Sequence, residues 1–185
     1  MVKRDVGLDD FVKNETIHRD SFYFSFILNH FLRPHPEFPV TRASSGPGRA
    51  SLILPLSNHL IVSEWKAAQI DFLHIPVPRV RMPSRSEKAL TLSEYTLLQV
   101  LQLKFVLWDR CHKGWTMQQL MEKEAAPQLK DYIQSKEVTE KLEGGKLLLR
   151  ALVVVVVGSR HILVQEMDSN GQLIGNAELL VKKTG

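Results

Sequence analysis

The chain of 185 residues is long enough to bury a hydrophobic core as one domain, and its single cysteine excludes an internal disulfide framework. Lysine and arginine outnumber aspartate and glutamate by 24 to 20, so the charge of +4 permits a polyanionic partner without requiring one. The longest apolar run falls short of the roughly 20 residues of a membrane helix, which predicts a soluble intracellular protein or one domain of a larger chain.

The N-terminal part of the sequence divides into a polar stretch and an aromatic one. Residues 1–17 show little periodicity, which predicts a leader or linker before a domain at 18–185. After Asp20, a candidate N-cap, aromatic and apolar residues recur at helical spacing. We therefore expect a helix that packs on one side of a central sheet.

A hairpin and a basic loop follow. Strands are predicted at about 49–55 and 60–66, joined by a two-residue Ser-Asn turn, and a broken extension continues to the proline-containing loop at 79–88. The arginines of these segments could contact a nucleic-acid backbone, although a solvated basic loop is an equally good interpretation. These candidate nucleic-acid-binding residues are Arg42, Arg49, Arg79, Arg81 and Arg85.

The middle of the chain has the pattern of helices. The tetrapeptides TLLQ and TMQQ, which begin at Thr96 and Thr116, have the Thr-x-x-Gln spacing of a capping box. The second box predicts a helix over 116–135, in which Pro127 either kinks the helix or occupies the first turn of a new one.

The last third of the chain has the pattern of strands. The β-branched run at 147–157 predicts a strand that is buried on both faces. A short turn leads to a returning strand at 160–167, and a further short strand follows. This order of helix, antiparallel strands, helical block and strands predicts a mixed α/β or α+β domain.

The hairpin places three side chains in a defined relation. With Ser57 and Asn58 as the turn, Ser51 lies opposite Glu64, and directly opposed side chains are about 5 Å apart at Cβ. Strand alternation puts Glu64 and Lys66 on one face and Trp65 on the other.

A glutamate, a lysine and a second carboxylate in this arrangement would form a metal-dependent phosphodiesterase site. Carboxylates hold Mg²⁺, and the metal and the lysine stabilise the charge that develops on a phosphate. Ser51 supplies only a hydroxyl, so such a site would hold metal weakly. On spacing alone, Glu64 and Lys66 are more typical of a cross-strand or solvent-facing ion pair.

The order of motifs resembles the PD-(D/E)XK nuclease superfamily, and more narrowly its RecB-like members with a Gln-x-x-x-Tyr motif. The resemblance depends on the E-x-K hairpin and on the stretch from Gln128 to Tyr132, and it covers roughly residues 18–168. The stretches GRASLIL, LIVSEWK and PQLKDY are also similar to nuclease-like domains downstream of AAA-ATPase-like domains in fungal and oomycete families of Crinkler type.

This resemblance implies a restriction-endonuclease-like α/β core with a central mixed sheet flanked by helices. It implies that Glu64 is a metal ligand for Mg²⁺ or Mn²⁺ and that Lys66 is the catalytic lysine, with Gln128 and Tyr132 supporting the site. Ser51 stands where the superfamily pattern has a metal-binding aspartate, and Ser44 stands at another position that is often acidic.

Two functions follow from the resemblance. The first is metal-dependent hydrolysis of DNA, reduced or absent because of Ser51, and the second is a catalytically inactive domain that binds DNA or a protein partner. The resemblance also implies an AAA-ATPase-like domain in a longer parent chain and an intracellular location, in the cytoplasm or the nucleus, with the nucleus expected for an effector. No membrane partner is expected.

Overall fold

The structure is a computed structural model, and it describes residues 41–42, 51–55, 58–78, 80, 82–106, 112–158 and 161–181. In this part of the chain no helix is long and apolar enough to cross a membrane. The stretch at 1–17 and the helix predicted after Asp20 lie outside the described residues.

One mixed sheet of six strands organises the described chain, in the spatial order β1-β2-β3-β4-β5-β6. The central strands β3 and β4 are parallel, and every other neighbouring pair is antiparallel. The first strand has only two residues, and the others have five to ten. The strands are β1 Thr41–Arg42, β2 Ser51–Pro55, β3 His59–Ala68, β4 Leu148–Val157, β5 His161–Met167 and β6 Leu173–Val181.

The connection between β3 and β4 contains the helices, as a parallel pair of strands requires a long crossover. The helices are α1 Arg85–Ser93, α2 Leu97–Leu101, α3 Met117–Leu120, α4 Ala126–Ile133 and α5 Lys136–Glu143. Both predicted capping boxes are formed, because Thr96 and Thr116 accept from the backbone N–H of Gln99 and Gln119. The mixed α/β class predicted from the sequence is confirmed.

The helix predicted over 116–135 is interrupted. A π-helical turn at Met121–Ala125 separates α3 from α4, and Pro127 occupies the first turn of α4. This second alternative for Pro127 is the one observed, since a proline there loses no helical hydrogen bond. A separate helix, α5, follows this block and was not anticipated.

The hydrophobic core lies between the sheet and the helical block. Its buried side chains include Leu60 and Val62 of β3, Val153 and Val155 of β4 and Leu129 of α4. Residues 153–157 are buried without interruption, so this half of β4 is covered on both faces as predicted. The prediction is wrong for the first half of the strand, where Leu148 and Arg150 are exposed. Alternation along β3 continues the core-facing series to Glu64 and Lys66, which positions the candidate site beneath the helices.

Candidate functional site

The hairpin has the predicted register. Ser51 pairs with Glu64 across β2 and β3, and Leu52 pairs with Ser63. Trp65 is directed to the other face of the sheet, where its indole N–H donates to the Ser63 hydroxyl at 2.8 Å. A slip of one residue would have exchanged Glu64 with Trp65, so this register decides which side chains lie under the helices.

Glu64 is the most unusual side chain of the hairpin, because it is charged and its exposed fraction is 0%. It lies in the core-facing row of β3 and pairs in the parallel ladder with Val153. A buried carboxylate is costly unless a cation and hydrogen-bond donors compensate it. Lys66, two residues further along the strand, provides an ammonium at 3.2 Å.

The Lys66 ammonium is shared between the strand and the helical block. Its Nζ lies 3.2 Å from Glu64 Oε1 and 2.9 Å from Glu124 Oε1, and it donates to Gln128 Oε1 at 2.6 Å. The Lys66 side chain is only 9% exposed. The contact with Gln128 is a hydrogen bond and the contacts with the two carboxylates are ion pairs, so the ammonium has three oxygen neighbours.

Glu124 connects this ammonium to a histidine. The second carboxylate oxygen of Glu124 contacts His112 Nε2 in a short hydrogen bond. The imidazole of His112 in turn packs edge-on against Trp115, with ring centroids 5.0 Å apart. We call Glu64, Lys66, His112, Glu124 and Gln128 the Lys66 cluster.

The electrostatics of the cluster favour the ionised form of Glu124. Burial alone would raise the pKa of its carboxyl, but hydrogen bonds and charge from Lys66 and His112 outweigh burial and lower the pKa below the ordinary value of 4.5. Glu124 is therefore a carboxylate over the physiological pH range.

The structure joins some of the predicted site residues and not others. Glu64, Lys66 and Gln128 are in one cluster, whereas the Tyr132 ring packs against the hydrophobic core. Ser51 has the predicted register position, and only its backbone is described. Tyr132 thus lies one turn from Gln128 without joining the polar contacts of the described residues.

The structure describes only some of the candidate nucleic-acid-binding arginines. Arg85 opens α1 and lies 3.9 Å from Asp71, in an exposed pair. Arg42 belongs to β1, and only its backbone is described. Arg49, Arg79 and Arg81 lie outside the described residues, as does Ser44.

Sequence reasoning missed Glu124 and His112. Glu124 precedes Gln128 by four residues, a spacing that puts two side chains on one helical face and could have identified it. The π-turn at Met121–Ala125 changes the local spacing, however, and it is not evident in the sequence. For His112 there was no signal, because its contact with Glu124 depends on the tertiary fold.

Divalent metals need several oxygen ligands. Among the residues that the structure describes, no group of three or more histidine, cysteine, aspartate or glutamate side chains is placed to hold a metal ion. Glu64 and Glu124 provide the right type of donor, but both face the Lys66 ammonium.

Comparison of the chain with protein-family models, with curated proteins and with solved structures gave no match.

Proposed function

We propose that the chain has a PD-(D/E)XK-type nuclease scaffold with a restriction-endonuclease-like core, and that its ancestral reaction is metal-dependent hydrolysis of DNA. The observation that carries the proposal is the hydrogen bond from Lys66 to Gln128, two residues 62 positions apart. It joins the E-x-K strand to the Q-x-x-x-Y helix, the two motifs on which the resemblance depends.

Lys66 would be the catalytic lysine in this proposal, because an ammonium stabilises negative charge that develops on a phosphate. A phosphate can reach Nζ only by replacing one of the three present acceptors. Glu64 is fully buried, whereas the Glu124 side chain is 19% exposed. Gln128 is also partly exposed, so Glu124 and Gln128 are the two neighbours that a substrate could displace.

The metal requirement is where this chain departs from the superfamily pattern. Glu64 would be a ligand for Mg²⁺ or Mn²⁺ by its oxygen chemistry, but Ser51 opposite it brings no charge. The residues described do not complete a metal site. We propose that hydrolysis is impaired for this reason.

A catalytically inactive domain that binds DNA or a protein partner is the second candidate. The specific observation in its favour is the Lys66 ammonium, which already has three oxygen neighbours within the protein, at 3.2, 2.9 and 2.6 Å. A lysine used in this way holds the strand to the helix and neutralises a buried carboxylate. A nuclease scaffold that has kept its fold but lost its catalytic activity would show this arrangement.

Substitution of Ser51 tests the proposal. Ser51→Asp would place a second carboxylate about 5 Å from Glu64 at Cβ, and the repulsion between them would be relieved by a divalent cation. We expect Ser51→Asp to cleave plasmid DNA in Mg²⁺ or Mn²⁺, and its melting temperature to rise when either ion is added. Ser51→Asn is the matched control, since it has nearly the same shape without the charge.

The outcomes separate the two candidates. Cleavage by Ser51→Asp that disappears in the Ser51→Asp, Lys66→Met double variant, at a temperature where circular dichroism shows the double variant folded, supports the nuclease scaffold. A folded Ser51→Asp variant that neither cleaves DNA nor gains stability from either ion would reject it. Retention of DNA by the natural chain at low salt, measured by gel shift, would then support the binding module.

A further inference from the structure

An open groove with a volume of about 750 Å³ lies between the helical block and the strands β5 and β6. One wall is helical and includes Gln118, Glu122 and Lys130, and the other wall belongs to β5, β6 and the turn between them. All its lining residues belong to the described part of the chain, and none belongs to the Lys66 cluster. Its volume falls in the range of ligand-binding clefts.

Both walls of the groove contain an irregularity of the backbone. The π-turn at Met121–Ala125 contributes Met121 and Glu122 to the helical wall. On the opposite wall the β5–β6 register passes from Val164↔Glu178 to Glu166↔Ile174, so that three residues of β6 face one of β5. Bulges and π-turns interrupt regular hydrogen bonding and occur often at functional sites.

The bulge interrupts the regular ladder of β6 beside the groove. Gly175 has a φ of 65°, a left-handed conformation that suits glycine, and its carbonyl accepts from the Gln165 side chain at 3.1 Å. Asn176 and Ala177 complete this stretch and line the groove. The β6 wall therefore combines carboxamide side chains with backbone that has left the regular ladder.

Carboxamides dominate the polar lining of the groove. They are Gln118, Gln165, Gln172 and Asn176. Each carboxamide offers both donors and an acceptor, which is the combination presented by the main chain of an extended peptide. Gln118 already donates one hydrogen to Glu122 and Gln165 donates one to the Gly175 carbonyl, whereas the amide group has two hydrogens. The floor between them is apolar and includes Leu101, Met121 and Ala126.

The charge of the lining argues against a polyanion. Lys130 and Glu122 are the two charged residues of the lining, and they balance each other. A nucleic-acid backbone requires several cations, and base stacking requires aromatic rings, of which the lining has none.

We propose that this groove binds a short extended peptide of low net charge. The four carboxamides pair with the peptide main chain, and small apolar side chains of the peptide contact the floor. The peptide belongs to a partner protein. This proposal does not depend on nuclease activity.

The proposal can be tested with an array of short random peptides probed with the full chain, followed by fluorescence polarisation with the peptides that bind. Loss of two hydrogen-bonding groups in the Gln118→Ala, Gln172→Ala double variant should weaken binding by about tenfold or more. Asn176→Trp should abolish binding by filling the groove. All three positions are exposed, so the melting temperatures of the variants should stay close to that of the natural chain.

Two matched controls use exposed residues outside the groove lining, Gln134→Ala and Glu178→Trp, and both should bind as the natural chain does. Absence of any bound peptide would overturn the proposal. Equal affinity in the groove variants and the controls would overturn it as well. Displacement of the peptide by a labelled single-stranded oligonucleotide would instead assign the groove to nucleic acid.

Discussion

Residues 117–133 present polar side chains on two faces, and the charged groups on these two faces differ in how far they are exposed to solvent. On the face toward β3, Glu124 contacts Lys66 in a cluster that is almost closed to solvent. On the opposite face, Glu122 and Lys130 border the open groove. The same residue types are thus structural on one face and available to a ligand on the other, and burial makes the difference.

The comparison predicts its largest difference in folding stability between a variant of Lys66 and a variant of Lys130. Lys66→Met removes the positive charge beside the buried Glu64 and should lower the free energy of unfolding by about 3–5 kcal/mol. Lys130→Met keeps the aliphatic stem at the groove wall and should cost less than about 1 kcal/mol. Urea unfolding of both variants measures the difference, and equal losses would show that Lys66 is not a buried ion-pair partner.

The next largest difference in folding stability is expected between a variant of Glu124 and a variant of Glu122. Glu124→Gln removes the carboxylate that bridges Lys66 and His112, and we expect a loss of about 1–3 kcal/mol in the free energy of unfolding. Glu122→Gln changes an exposed side chain whose carboxylate accepts from Gln118, and should stay within about 0.5 kcal/mol. A larger loss for Glu122→Gln than for Glu124→Gln would reverse the assignment of the two faces.

The pH dependence of stability sharpens the role of Glu124. Its pKa in the folded chain lies below 4.5, so its contribution is fully present above that pH and is lost as the pH falls through the lowered value. The stability difference between the natural chain and Glu124→Gln should therefore shrink below pH 4.5. Denaturant titrations at a series of pH values would detect this, and a constant difference would contradict it.

The smallest expected effect is at Tyr132. Its ring packs against the core, and its hydroxyl takes no part in the Lys66 cluster. Tyr132→Phe should change the free energy of unfolding by no more than about 0.5 kcal/mol. If the same change removed cleavage from the Ser51→Asp variant at unchanged stability, Tyr132 would act on the substrate and not on the fold.

The hairpin register could be predicted from the sequence because it depends on local rules. A two-residue turn and strand alternation are sufficient to place Ser51 opposite Glu64 and Lys66 beside it. The capping boxes at Thr96 and Thr116 are local in the same sense, and both were predicted. Gln128 was selected through the resemblance, and the structure places its side-chain oxygen 2.6 Å from Lys66 Nζ.

The remainder of the cluster could not be predicted because it depends on tertiary packing. Glu124 reaches Lys66 from a π-turn, whose altered spacing has no marker in the sequence. His112 reaches Glu124 from a preceding segment that carries no periodic pattern. The bulge between β5 and β6 was also missed, since Gly175 is the only local indication of it.

The parallel pairing of β3 with β4 has a consequence for how the chain folds. Ten residue pairs connect the hairpin to a strand that the ribosome completes only after the whole helical crossover. Closing so long a loop is entropically costly, so this ladder should assemble late and slowly. Until it does, Glu64 remains hydrated, and its desolvation should coincide with the rate-limiting step.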